Sequence, residues 1–206
     1  EGLMYTFLNI SFIIGPLLAG FILNKYGIPL VFTLASVFIF IGFFLFRIEG
    51  INDDRKQKRT DNHLLKNFFD FFKDKDRIVA YILGGGVGFW WVFIYLFMPL
   101  EIVRSNLTEL WVGYFLFAVA VPLIFLEYKF SKIAGKYGFK KLFQIGFLIA
   151  AICAILSFFT INIYIIMSLL VLGSIGLAML EPTTEAYFFD ISTKKEEQRF
   201  YGPYNT

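Results

Sequence analysis

The sequence predicts an all-α fold, a polytopic bundle of six membrane-spanning helices, on three observations. Hydrophobic residues fill 58% of the 206 positions and the mean hydropathy is +0.68, well above the roughly 45–50% apolar content of soluble domains. These residues fall in long runs free of Asp, Glu, Lys and Arg, and the Lys and Arg residues gather in alternate connections between the runs. Extended chain left open in hydrocarbon would leave its N–H and C=O groups without partners at several kcal/mol each, and the runs lack the alternation of a membrane β-barrel. Helix is the state that remains.

The spans can be taken in order, since a hydrocarbon core about 30 Å thick needs about 20 uncharged helical residues. Residues 2–24 and 26–46 supply the first two, 78–100 the third and 111–126 the fourth. The uncharged stretch 142–180 is long enough for two and divides at Thr160, Ile161 and Asn162. A fifth span then covers 142–159 and a sixth runs from Ile163 past Leu180. The chain opens on Glu1, at the edge of a span, and ends at Thr206 without a closing signal, so it is expected to be part of a longer protein.

An excess of Lys and Arg in short connections marks the cytoplasmic side of a membrane protein. Of the 19 Lys and Arg residues, all but Lys25 and Arg104 fall in the connection between spans two and three, in that between spans four and five, or after span six. These three are expected to be cytoplasmic, and the connections around Lys25, Arg104 and Asn162 external. The net charge of +3 therefore reports membrane orientation rather than nucleic-acid binding. The expected location is the cytoplasmic membrane, crossed several times.

The connection at 50–77 has a polar, basic first half, followed by NHLLKNFFDFFKDK. Leu64, Leu65, Phe68, Phe69, Phe71 and Phe72 cluster on one helical side there, which predicts an amphipathic helix lying at the headgroups. This loop divides the chain into residues 1–49 and 78–206, with 50–77 between two halves. The single Cys153 lies inside a span and permits no disulfide framework, and the single His63 excludes a His-based metal site. No metal or cofactor is expected.

Two segments carry a family resemblance. In the first span Gly2, Ser11, Gly15, Pro16, Ala19 and Gly20 follow the spacing G-x8-G-x3-G-P-x2-G-G, with small residues at two glycine positions. Small residues let helices approach closely, and a proline removes one helix hydrogen bond and permits a bend. The pattern resembles the fifth helix of major facilitator superfamily exporters. FSKIAGKYGFKK, residues 130–141, resembles the short basic loop that the same superfamily places between the second and third helices of each half. Lys136, Gly138, Lys140 and Lys141 match it and Lys132 adds charge, whereas Gly135 stands where the family usually has Asp, and Ser131 where it has Gly.

Glu1, Tyr5 and Asn9 also recur at the same mutual spacing as Glu197, Tyr201 and Asn205, each set at the cytoplasmic start of a helix, as expected of two halves related by a parallel repeat. On this resemblance the chain covers helices five to ten of twelve and stops as helix eleven begins. Residues 1–49 would be the last two helices of one half, and 78–206 the first four of the other.

Ionisable groups inside hydrocarbon are costly and mark functional sites. The sixth span carries Glu181, Glu185 and Asp190, with Glu181 and Glu185 on one helical face with Thr184. Burial disfavours the charged form of a carboxyl, so such a group could take up and release a proton during a transport cycle. The alternative is a pairing with Lys132, Lys136, Lys140 or Arg199 as an inner gate or structural bridge. Trp91 and Tyr95, one turn apart, either line a cavity or sit against lipid; Asn9 faces either a neighbouring helix or the substrate. GGGVGFWWVFIY lacks the Lys and Ser or Thr of a phosphate loop, so its glycines read as helix packing.

The resemblance implies a secondary transporter working by alternating access, and the first-span motif tilts it toward proton-coupled export of a small molecule. Substrate, lipid bilayer and protons are the expected partners. Uptake of a nutrient by the same fold remains the alternative, and a membrane-embedded enzyme or non-transporting sensor lies further off, because no catalytic set is visible.

Overall fold

A computed structural model describes residues 2–48 and 64–206, with the side chains from Phe7 onward except those of Asn9, Ile13 and Leu64. The described residues are helical almost throughout: α1 (Gly2–Tyr26), α2 (Ile28–Ile48), α3 (Leu64–Phe71), α4 (Lys75–Val92), α5 (Met98–Arg104), α6 (Glu109–Tyr137), α7 (Phe139–Phe158), α8 (Ile163–Asp190) and α9 (Lys194–Tyr204). A π-helical turn, Phe93–Phe97, joins α4 to α5 into one span from Lys75 to Arg104. That span, α2, α6, α7 and α8 are long and apolar enough to cross a membrane, and α1 is apolar from Ile10 to Tyr26. The chain is thus an all-α polytopic membrane bundle.

Four crossings build it. α8 lies at the centre, packed on α4, α6 and α7, while α6 also takes α1 along its length. Among the described residues α2 packs chiefly on α1 and has no buried residue, so most of its apolar side chains are presented outward. The main core joins Ile94, Ile102, Val119, Leu123, Leu170, Leu177 and Leu180, each at most 1% exposed.

Glycines set the two tightest crossings. A Cβ on Gly176 would stand 2.5 Å from the Gly146 carbonyl oxygen, and one on Gly146 would stand 2.9 Å from that of Gly176, so α7 and α8 meet backbone to backbone. At the α1–α6 crossing a Cβ on Gly113 would stand 3.2 Å from the Pro16 carbonyl oxygen, and one on Gly20 would be 3.8 Å from the Gly113 Cα. Gly15, of the same first-span pattern, faces open space.

The structure departs from the expectations drawn from run lengths in three places. Residues 130–141 form no loop: α6 continues to Tyr137, α7 starts at Phe139, and Gly138 alone turns the chain, at φ 85°. A left-handed φ of this kind is free of steric cost only for glycine, which lets one residue do the work of a loop. Lys132 and Lys136 therefore ride on the last turns of α6, and Lys140 and Lys141 on the first turn of α7. The third span starts earlier than charge counting placed it, at Lys75, because the Asp74 carboxylate accepts from the backbone N–H groups of Asp76 and Arg77 and caps the helix.

The third departure is α3. Its apolar residues do not form one lipid-facing side: Phe71 is fully buried with Ala80, Phe188 and Phe200, while Leu65 and Phe69 are 78% and 69% exposed. One face is thus held by protein and the other left free to meet headgroups. The basic first half of this connection, with Glu1 and the side chains of Tyr5 and Asn9, lies outside the described residues.

Candidate functional site

Three helices bring a polar cluster together inside the bundle. α8 contributes Glu181, α4 contributes Trp91, and α6 contributes Glu127, which is fully buried. Trp91 Nε1–H donates to Glu181 Oε1 at 3.2 Å. Among the described residues no N–H or O–H donor reaches the second, buried oxygen of Glu181, Oε2, and the Glu127 carboxyl lies within hydrogen-bonding reach of Glu181. Two ionised carboxylates are acceptors only, so this contact can be a hydrogen bond only when the pair holds a proton between them.

Local structure aims these groups. Trp91 stands just before the π-helical turn, where the Met98 N–H reaches back five residues to Phe93 O. Pro99 follows at once, and the wider turn accommodates a ring that would clash with a regular α-helical carbonyl. Trp91 and Tyr95 stack at 5.1 Å between centroids and 24° between planes, and Phe12 of α1 lies 5.9 Å from Tyr95. The indole is thereby fixed with its N–H on the carboxyl. On α8, Thr183 and Thr184 return their hydroxyls to backbone carbonyls one turn back, Thr184 to Glu181 O at 3.2 Å, which keeps these buried hydroxyls satisfied around Pro182.

Beside the cluster opens a cavity of about 450 Å³ between α4, α8 and α9. Trp91, Glu181, Thr184 and Glu185 line it, with Tyr81 from α4 and Tyr201 and Tyr204 from α9. The Tyr201 hydroxyl donates to Glu185 Oε1 at 2.8 Å. Gly85 and Gly88 face open space on this side, whereas a Cβ on Gly84 would stand 3.0 Å from the Tyr204 hydroxyl and one on Gly86 2.9 Å from Phe147. The glycine run thus combines close helix packing with an open cavity wall.

Of the residues singled out from sequence, the structure brings Trp91, Tyr95, Glu181 and Glu185 together. Among the described residues no ion pair joins Glu181 or Asp190 to Lys132, Lys136, Lys140 or Arg199. Arg199 instead donates from Nε to Asn67 Oδ1 at 2.6 Å and pairs through Nη2 with Asp70. Lys132, Lys136, Lys140 and Lys141 make no ion pair among the described residues, and Lys136 lies over the Tyr137 ring at 5.0 Å. Glu181 is instead turned toward Trp91 of α4 and Glu127 of α6. Asp190 is exposed at the end of α8. Gly15, Pro16 and Gly20 belong to the α1 side, away from the carboxyl pair.

Glu127 is the group that reading runs of uncharged sequence missed. Run counting closes the fourth span at Leu126 and reads the next charge as the membrane edge, yet α6 carries on for ten residues beyond Glu127. The signal was present in its neighbours: EYKFSKIA continues a helical pattern without proline, and Gly135 is the one glycine between Glu127 and Gly138.

Spans of membrane length, packed through glycines around a buried carboxyl pair and a cavity, define a polytopic membrane protein. The family model of the Major Facilitator Superfamily matches residues 2–206, and the chain belongs to that superfamily of secondary transporters. No curated protein and no solved structure matches the chain.

Proposed function

We propose that the protein is a proton-coupled transporter in which Glu181 and Glu127 take up and release the coupling proton, and that it works as an exporter. The observation that carries the proton reading is the carboxyl pair. It is buried, it is shared between α6 and α8, and its hydrogen bond exists only when a proton is held. A motion that parts α6 from α8, or admits water and a substrate to Glu181, breaks that hydrogen bond and frees the proton. This ties protonation to conformation, as alternating access requires. The export direction is supported by the first-span pattern that ends in Gly15, Pro16 and Gly20. The lysines around Gly138 support a cytoplasmic placement of that end, and the cytoplasmic membrane as the location.

The division into two halves, 1–49 and 78–206 with 50–77 between them, belongs to the same reading. Glu185 and Tyr95 then flank the pathway.

The test uses proteoliposomes with an imposed pH gradient and a panel of small metabolites and drugs followed by mass spectrometry. Wild-type protein is expected to accumulate at least one solute against its gradient. Glu181→Gln and Glu127→Gln should each abolish gradient-driven accumulation while leaving downhill exchange of the same solute. Accumulation that survives in both variants rules out the carboxyl pair as the coupling site.

A further inference from the structure

We infer that the groove between α3 and α9 holds the headgroup of an anionic phospholipid, with an acyl chain laid on the free apolar face of α3. The groove has a volume of about 430 Å³, within the range of small-molecule sites, roughly 300–1,000 Å³. Asn67 and Phe68 of α3 and Gln198, Arg199 and Gly202 of α9 line it, and no Asp or Glu is among the described residues that do. Its wall contains neither Glu181 nor Glu185, so the inference stands apart from the proton-coupled reading.

The charge in the groove is positive and only partly spent. Arg199 Nε donates to the buried Asn67 at 2.6 Å and Nη2 pairs with Asp70, while Nη1 donates to none of the described residues. Asp70 in turn serves two cations, since Lys73 Nζ stands 2.7 Å from its Oδ1, so this cluster keeps a positive charge. Lys66, beside Asn67 in the chain, and Lys195, one turn before Arg199, are exposed and join no ion pair among the described residues. A guanidinium with spare N–H groups suits phosphate oxygens, which accept charge-assisted hydrogen bonds in its fork. The apolar edge decides between a lipid and a soluble phosphate. Leu65 lines the groove at 78% exposed, and Phe69 nearby is 69% exposed. A soluble phosphate leaves that surface in water, whereas an acyl chain covers it, and basic amphipathic helices seat on anionic headgroups in this way. Gly202 keeps the groove open, because nothing stands within 4 Å of a Cβ placed there.

The test compares dioctanoyl phosphatidylglycerol with dioctanoyl phosphatidylcholine, which share acyl chains and a phosphate but differ in net charge. Their binding to the purified full chain in a neutral detergent is followed by native mass spectrometry. The anionic lipid is expected to bind roughly fivefold more tightly, the effect of about one basic residue at a charged surface, and an equal concentration of inorganic phosphate not to displace it. Gln198→Glu brings a negative charge into the groove without touching the contacts of Arg199 with Asp70 and Asn67, and should erase the preference. Gly202→Leu, which fills the groove, should weaken both lipids several-fold. Lys136→Gln, at the Gly138 joint, should change neither. Hydrogen exchange of residues 64–71 checks that α3 stays docked in each variant. Should Gln198→Glu lose that protection, Gln198→Lys replaces it, with the preference expected to rise.

Equal affinity for the two lipids, an unchanged preference in the docked Gln198 variant, or full binding by Gly202→Leu overturns the inference. Displacement by inorganic phosphate would overturn it in favour of a soluble anion. An equal loss in Lys136→Gln would overturn it in favour of a diffuse attraction to the whole basic end.

Discussion

At the residue scale the contact that matters most joins Trp91, Glu181 and Glu127. Trp91→Phe keeps a ring to stack on Tyr95 and removes the N–H donor, so the hydrogen bond to Glu181 is lost while the apolar contact remains. The expected cost is about 1 kcal/mol, read as a lowered melting temperature, together with a displaced pH profile of transport. An unchanged profile would mean that the indole does not act on the carboxyl. Glu181 was legible in the sequence because it interrupts an apolar run, and Trp91 because it stands one turn from Tyr95. Glu127 was hidden by its place at the edge of a run, where an interior carboxyl and a headgroup-level carboxyl look alike. Only the partner across the bundle separates them. The basic residues misled in the opposite way, since charge complementarity in sequence carries no information on distance, and Arg199 found Asp70 and Asn67 first.

At the element scale the decisive contacts are helix crossings, and here equal residues have unequal consequences. Gly176→Ala drives a Cβ against the Gly146 backbone, where no side chain can rotate away, so α7 and α8 must separate. Overpacking of this kind costs about 1–3 kcal/mol. Gly135→Ala, inside α6 with nothing within 4 Å of the added carbon, is expected to stabilise by up to about 1 kcal/mol through helix propensity. Thermal unfolding in detergent of the two variants side by side checks the contrast; equal shifts would contradict the close crossing. The helices themselves were readable from run length, because the bilayer fixes the length of a span. Their crossings were not, since Gly135 and Gly176 differ only in what lies opposite. The joint at Gly138 shows the same limit: the sequence marked a break there but not that one residue suffices for it.

At the scale of the whole molecule, α3 is fastened to α4 and α9 across the same end of the bundle that carries the basic joint at Gly138. Arg199 holds Asp70 and Asn67, and Arg77 donates from Nη1 to Glu196 Oε1 at 3.2 Å and lies 4.3 Å over the Phe200 ring. Phe71 and Phe200 pack edge to face beneath these pairs. The side-chain hydrogen bonds of Lys73 and Arg199 hold the Asp70 carboxyl below its ordinary value, and the backbone N–H of Thr193, then its hydroxyl and the nearby Arg77 guanidinium, do the same for Glu196. A carboxyl lowered in the folded state contributes stability that is present above its unfolded value, near 4, and lost as pH falls through the lower folded value. The fastening is therefore intact at neutral pH and loosens only in acid below about 4. High salt, which screens partly exposed pairs, should loosen it at neutral pH as well. Hydrogen exchange of the α3 amides gives the reading. Protection of residues 64–71 should fall in Asp70→Arg and in Arg199→Asp, and return in the double variant, which restores the pair with its charges exchanged. Singles that leave α3 protected would show that Phe71 alone anchors the helix. A double variant as unprotected as the singles would show that the geometry around Asn67, rather than the charge pair, decides whether α3 stays docked.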